Sequence, residues 1–124
     1  MNTPAHFKRL FTGCALLAGS GIGAENWPQF RGPRGDGVSQ ETNVPTRWSR
    51  TENIRWKTAI PGEGHSSPIV WGNTVFLTSA EKTSGKRLLI RLDADTGKIL
   101  WQVTVVTAPA EAMNRENSLA SSTP

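Results

Sequence analysis

The chain has 124 residues, which is enough for one small domain, and it carries a formal net charge of +4. Its 14 basic residues are interspersed with 10 acidic ones instead of forming a basic face, so nucleic-acid binding is not expected. The sequence contains one cysteine, Cys14, and therefore no pair of thiols for a disulfide. The fold must be stabilised by packing alone.

Residues 1–24 have the pattern of a secretory signal peptide. Lys8 and Arg9 stand before the apolar stretch Leu10–Ala24, which ends in small residues. This stretch is shorter than the roughly 20 residues that a membrane-spanning helix needs. We therefore predict an exported protein, periplasmic or extracellular, without a membrane span.

Two details of this leader stay open. Cleavage after Ala24 is one prediction, and cleavage after Ser20 is the alternative. Cys14 faintly resembles a lipid-attachment cysteine, but the apolar run before it is short. A small apolar residue in a discarded leader is the preferred interpretation of Cys14.

Residues 25–52 are predicted to form an irregular arm, because proline and glycine interrupt any sustained period. Trp27, Phe30 and Trp48 are expected to pin this arm against other parts of the protein, since each ring can bury a large apolar area. The arm also contains the adhesion tripeptide Arg34-Gly35-Asp36. A glycine-rich turn is the preferred interpretation of this tripeptide, and adhesion is the alternative.

Beyond the arm, alternation of apolar and polar residues predicts β-strands. The last four predicted strands follow one another through short turns, which indicates an antiparallel four-stranded meander and an all-β fold. The five predicted strands are Asn53–Ile60, Ser67–Trp71, Thr74–Ala80, Leu88–Asp93 and Lys98–Val106.

The turn between the last two predicted strands reads Asp93-Ala94-Asp95-Thr96-Gly97-Lys98. Its Asp and Thr side chains can bond neighbouring backbone N–H groups, and Gly97 can adopt the positive φ that closes a hairpin. The spacing of Asp93, Asp95 and Gly97 resembles the first half of a calcium loop, but glycine stands where a third oxygen ligand is needed. We therefore predict a structural turn and no metal site.

The sequence also echoes itself. Ile54-Arg55-Trp56-Lys57 matches Ile99-Leu100-Trp101-Gln102, and Ser66-Ser67-Pro68 is echoed by Ser121-Ser122-Thr123-Pro124. A repeat of this length with four strands is typical of a β-propeller blade. Residues 53–124 are therefore predicted to be a partial propeller, with a closing strand, one blade and the start of the next. Because one blade cannot cover its own two apolar faces, we expect an N-terminal fragment of a longer propeller.

The stretch LDADTGKILW resembles the repeat of the propellers named after pyrroloquinoline quinone (PQQ). The wider sequence from Trp27 to Pro68 is similar to an exported subgroup of these proteins found in planctomycete-type bacteria. The resemblance implies a propeller of roughly seven or eight blades, in which residues 53–60 complete the last blade. It also implies that the tryptophan of the motif docks onto the adjacent blade. The residues that carry the motif are Asp93, Ala94, Thr96, Gly97 and Trp101.

The resemblance leaves two functions open. Some members of the family are alcohol or sugar dehydrogenases that hold PQQ and calcium, and others use the propeller as a binding scaffold. The calcium-binding carboxylates and the adjacent cysteine pair of the dehydrogenases have no counterpart in this sequence. We therefore expect a non-catalytic binding or scaffold role, with no cofactor held by these residues. The alternative is the front of a PQQ- and calcium-dependent dehydrogenase whose active site lies beyond Pro124.

His65 and Ser66 are candidate funnel-lining residues. They stand in Gly64-His65-Ser66-Ser67-Pro68, which leads into the first strand of the predicted blade. A nucleophile elbow would need glycine in place of Pro68 and a helix after it, so this segment is interpreted as a turn. The expected partners are the remaining blades and a protein or small-molecule ligand in the funnel.

Overall fold

The computed structural model describes residues 25–109 and 116–124. The predicted signal peptide, with Cys14, lies outside the described residues. Within them the chain is all-β, and its strands form one antiparallel sheet in the order β1-β2-β3-β4. The strands are β1 (Ile69–Trp71), β2 (Thr74–Glu81), β3 (Lys86–Asp93) and β4 (Ile99–Thr107). The predicted four-stranded meander is therefore confirmed. No apolar helix of membrane-spanning length occurs in the described part of the chain.

Three of the eight strand ends are as predicted, and the other five differ from the prediction by one or two residues. Strand β1 begins at Ile69 rather than Ser67, because Pro68 has no backbone N–H to donate to a neighbouring strand. Gly72 has a φ of 55° and closes the tight turn between Trp71 and Thr74, which pair across it. Short connections of this kind place successive strands side by side, as a meander requires.

The strand register gives the sheet two different faces, because residues directly opposite each other in a ladder point to the same side. One face carries the buried side chains of Leu88, Ile90 and Leu92 at the centre of the sheet. This covered face also includes Val75, Leu77 and Ile99, and Ile60 from the preceding segment packs on it. The opposite side, which we call the open face, consists of Ile69, Trp71, Thr74, Phe76, Thr78, Ala80, Arg87, Leu89, Arg91, Asp93, Trp101, Val103 and Val106.

Residues 54–60 lie over the covered face and are in no strand among the described residues, so the predicted strand Asn53–Ile60 is absent from this sheet. Its predicted pairing with a last blade stays a prediction. Trp56, Thr58 and Ile60 are half-buried while the residues between them are exposed, which reproduces the predicted period of two. The backbone of this segment, however, pairs with no strand within the described ranges. Alternating burial shows that one side of an extended segment is packed. A strand needs, in addition, a neighbouring backbone to which its N–H and C=O groups can bond.

The segment that leaves the covered face is fixed at the far end of β2. Glu63 and Ala80 exchange two backbone hydrogen bonds of 2.9 and 2.8 Å. The hydroxyl of Ser79 donates to the carbonyl oxygen of Pro61 at 2.5 Å. Gly62 has a φ of 77°, and a Cβ at this position would lie 2.5 Å from the carbonyl oxygen of Ala80. Only glycine combines this backbone conformation with such a close approach.

The arm is attached to the sheet by Trp27. Its backbone exchanges hydrogen bonds of 2.8 and 2.9 Å with Val70, on the edge of β1 that β2 leaves free. Phe30 and Trp48 do not act as anchors, because 67% and 63% of their surfaces are exposed. The prediction that all three aromatic residues pin the arm is therefore wrong for two of them. Aromatic content indicates where packing can occur, but the ring needs an apolar surface within reach.

The Arg34–Asp36 tripeptide lies in a turn, as the preferred interpretation predicts. The guanidinium of Arg34 pairs with Glu25 at 2.7 Å and with Asp36 at 3.6 Å. The carboxylate of Asp36 also accepts a hydrogen bond of 2.9 Å from the backbone N–H of Val38. Both charged groups of the tripeptide are thus engaged in holding the arm's own turn.

Candidate functional site

The turn from Asp93 to Lys98 is organised by one carboxylate. Oδ1 of Asp93 accepts hydrogen bonds from the backbone N–H of Asp95 at 3.1 Å and of Thr96 at 2.8 Å. The same oxygen accepts the Thr96 hydroxyl at 2.8 Å. Oδ2 accepts the side-chain amide of Asn73 at 3.0 Å, which ties this turn to the one between β1 and β2. Gly97 follows with a φ of 69°, a conformation that suits glycine.

The hydrogen bonds determine the ionisation of Asp93. The pKa of this carboxyl lies below its usual value of 3.8. The hydroxyl and backbone N–H of Thr96 are the main cause, because hydrogen bonds to a carboxylate favour its charged form. The backbone N–H of Asp95 and the charge of Arg55 act in the same direction. Asp93 is therefore ionised and already occupied by donors from its own blade.

The residues present do not fit a calcium ion or the calcium-bound PQQ of a dehydrogenase. Asp93 uses its oxygens for the turn, and Asp95 pairs with the guanidinium of Arg55 at 3.0 Å. Within residues 25–109 and 116–124, no group of three or more His, Cys, Asp or Glu side chains is placed to hold a metal. A calcium site needs six to eight oxygen ligands, which this turn does not offer.

Trp56 docks onto the same turn from the covered side. Its indole Nε1–H donates a hydrogen bond of 2.9 Å to the carbonyl oxygen of Ala94. Two residues later the hydroxyl of Thr58 donates to the carbonyl oxygen of Gly97 at 2.6 Å. A Cβ on Gly97 would overlap the indole ring, so the missing side chain makes room for the tryptophan. Gly97 therefore has two roles, a positive φ and a flat contact surface for Trp56.

This docking contact is a functional feature that the sequence analysis missed. The sequence repeat that matches Trp56 with Trp101 is the signal from which this docking contact could have been predicted. If the motif tryptophan of one repeat docks onto the turn of the next, Trp56 must be the docking residue of the preceding repeat. The sequence analysis assigned residues 53–60 to a closing strand and did not follow the tryptophan.

Trp101 lies on the open face, opposite Arg91 of β3. Its ring is 6.1 Å from that of Phe76 with an interplanar angle of 59°. Arg91, directly opposite Trp101 on β3, places its guanidinium carbon 5.9 Å from the centre of the Phe76 ring. Trp101 still exposes 38% of its surface. The described residues thus support one side of this ring and leave its other side open.

His65 and Ser66 lie at the junction of the two echoed segments. The backbone N–H of His65 donates to the carbonyl oxygen of Ala120 at 3.1 Å and to the Ser118 hydroxyl at 3.0 Å. The hydroxyl of Ser66 accepts the backbone N–H of Thr78 at 3.2 Å. The His65 side chain is exposed, and no hydrogen bond joins it to Ser66 among the described residues. The Nδ1 atom of His65 lies 3.2 Å from the carbonyl oxygen of Glu116, so the exposed imidazole is held against the segment 116–122. These residues therefore shape a turn, and they do not form a nucleophile–base pair.

One comparison with known proteins identifies the repeat. The model of a family described as outer membrane protein assembly factor BamB, a PQQ-like repeat family, matches residues 38–123. The match covers all four strands, the Asp93–Gly97 turn and Trp56. The chain belongs to this PQQ-like repeat family. No curated protein and no solved structure matches the chain.

The docking of Trp56 can be tested in the PQQ-like repeat by replacing the indole with a ring that has no N–H. Trp56→Phe keeps most of the contact with Gly97 but loses the hydrogen bond to Ala94, so we expect a loss of about 1 kcal/mol in the free energy of unfolding. Urea unfolding measures it. The matched control is Trp48→Phe, in an exposed position, for which no comparable loss is expected. Equal effects of the two substitutions would contradict the docking role.

The ionisation of Asp93 predicts an acid dependence of stability. Because its pKa is lowered in the folded PQQ-like repeat, the carboxylate stabilises the fold above the unfolded pKa, and this stabilisation is lost as the pH falls through the folded pKa. The stability difference between wild type and Asp93→Asn should therefore shrink as the pH is lowered below about 4. Unfolding curves at several pH values measure this difference. Trp48→Phe, which removes no ionisable group, should show a difference independent of pH, and parallel behaviour of the two variants would refute the assignment.

Proposed function

We propose that this protein is an exported β-propeller with a non-catalytic binding or scaffold role. The observation that carries the proposal is the use of the repeat motif for structure. The carboxylate of Asp93 is occupied by donors of its own blade, and the glycine of the motif receives Trp56. The polar groups of the motif thus hold repeats together and leave no free nucleophile, base or metal ligand at the turn.

The packing on the two sides of the sheet supports a propeller with further blades. Residues 54–60 lie on the covered face and contribute the docked Trp56. On the open face the hydroxyl of Thr78 donates to the carbonyl oxygen of Ser122 at 3.1 Å. Segments before and after the blade in sequence therefore lie on opposite faces of it, as in a ring of blades. We infer that Trp101 docks onto the turn of the following blade as Trp56 docks onto this one.

The exposed imidazole of His65 is the group that we assign to ligand contact. It stands where the chain enters β1, at the edge of the sheet held by Trp27. His65 and Ser66 would then line the funnel, with a protein segment or a small molecule as ligand. The family is described as an outer membrane protein assembly factor, which supports a binding role without specifying the ligand here.

The second candidate is a dehydrogenase that carries PQQ and calcium on other blades. Family membership alone supports it, because a repeat motif that builds a propeller does not determine what the funnel binds. PQQ would supply the oxidising chemistry if it were bound. The residues described here offer it no calcium-binding carboxylates, so its ligands would have to come from elsewhere.

Reconstitution of the protein, as the cell makes it, separates these functions. Purified protein is mixed with PQQ and calcium chloride, freed of unbound cofactor and examined by absorption spectroscopy, followed by an assay of dye reduction with alcohols and sugars. We expect no retained PQQ and no dye reduction. An authentic quinoprotein dehydrogenase treated in the same way is the positive control. Retained cofactor together with substrate-dependent dye reduction would establish the enzyme and exclude the scaffold role.

Export is tested by fractionation and N-terminal sequencing. The protein is expected outside the cytoplasm with a new N-terminus at Glu25, or at Gly21 if cleavage follows Ser20. Replacing Lys8 and Arg9 by Glu should retain the protein inside, because the positive start of a signal peptide is needed for its insertion. A wild-type protein that stays in the cytoplasm with residues 1–24 intact would refute export.

A further inference from the structure

Arg91 has an incomplete environment at the centre of the open face. Its Nε is buried and has no hydrogen-bond partner within residues 25–109 and 116–124. The ion pairs found in these ranges do not include it. The Phe76 ring and the opposite Trp101 shield the guanidinium from water on the sheet side. A buried N–H group without an acceptor is unfavourable, and because Nε is already covered, an acceptor from outside the described residues can reach the guanidinium only through its Nη groups.

The charge of the open face indicates what that acceptor is. Arg87 and Arg91 are the basic residues of this face, and its one acidic residue, Asp93, already accepts hydrogen bonds from Thr96 and Asn73. The remaining side chains are apolar apart from Thr74 and Thr78. An apolar surface that approaches such a face removes water from two positive charges, and a carboxylate is the group that best offsets this loss. The planar guanidinium can bind both oxygens of one carboxylate through its two Nη groups.

The position of residues 116–124 indicates which part of the protein places the carboxylate next to Arg91. These residues begin the second copy of the repeat, and Ala120 is 97% buried beside the blade, with only 3% exposed. Ser122 bonds Thr78, a residue of the open face. The covered face is already occupied by residues 54–60. The blade that continues from residue 124 therefore has the open face as its packing surface.

We propose that the blade following this one presents an Asp or Glu side chain to Arg91, forming an ion pair between blades beside the Phe76–Trp101 pair. The inference rests on the proposed propeller and adds to it the chemistry of the blade contact. Arg91 then contributes to the specificity of packing between blades, because it favours an acidic neighbour and disfavours a basic or purely apolar one.

Zero-length crosslinking tests this ion pair in the protein as the cell makes it. Arg91→Lys preserves the charge and introduces an amine that a carbodiimide can couple to a carboxylate in contact with it. We expect a crosslinked peptide joining position 91 to an Asp or Glu of a later repeat, at least five-fold above the level in the unsubstituted protein. Lys82 and Glu63, whose charged atoms are 2.8 Å apart, form a native pair that should crosslink in every sample and shows that the variant is folded.

Hydroxyl-radical labelling of Trp101 and Val103 distinguishes failure of this inference from failure of the propeller. Protection of both residues with the expected crosslink supports the ion pair. Protection without a crosslink, or a crosslink to Glu111, to Glu116 or to a second molecule, overturns the ion pair and leaves the propeller intact. Free labelling of Trp101 and Val103 overturns both.

Chemical modification of the unsubstituted protein covers the case in which Arg91→Lys does not fold. Phenylglyoxal should modify Arg91 at least ten-fold more slowly than the exposed Arg50, because a guanidinium bonded to a carboxylate and covered by a blade is inaccessible. Equal rates at the two arginines would overturn the proposal.

Discussion

The contact between Trp56 and the Asp93–Gly97 turn is the interaction on which the arrangement of this protein depends. A propeller blade is a thin sheet with two apolar faces, and it is stable only when both faces are covered. Trp56 covers the turn end of one face and at the same time bonds the carbonyl oxygen of Ala94. Gly97 makes the contact possible, because any side chain there would occupy the space of the indole ring.

The hydrogen bonds within the same turn explain why the repeat motif offers no evident catalytic group or metal ligand. Asp93 and Thr96 satisfy each other and the backbone of the turn, and this hydrogen bonding lowers the pKa of the carboxyl. A carboxylate with a lowered pKa is a poor proton acceptor, and one whose oxygens already accept hydrogen bonds has little capacity left to bind a metal. Membership of the PQQ-like repeat family therefore describes how the blades are built, and the ligand must be decided by residues that line the funnel.

The two faces of the blade are chemically different, and in the proposed propeller this difference would give the ring a direction. The covered face is aliphatic, with Leu88, Ile90 and Leu92 buried under Ile60. The open face combines aromatic rings with two arginines and one carboxylate, that of Asp93, which is already hydrogen-bonded within its turn. Apolar packing alone tolerates many partners, whereas a buried charge requires one that is complementary. The open face is thus the side on which the identity of the next blade matters.

The sequence by itself determined the four strands to within two residues, the hairpin turn with its bonding Asp and positive-φ glycine, and the internal repeat. These features are local, because they follow from side-chain alternation and from turn residues within a few positions of each other. Only the tertiary structure decided which faces are covered. It showed residues 54–60 packed without a strand partner, Phe30 and Trp48 exposed, and Trp56 docked 38 residues away in sequence. Alternation reports that one side of a segment is buried, but the partner that buries it is fixed by contacts between distant parts of the chain.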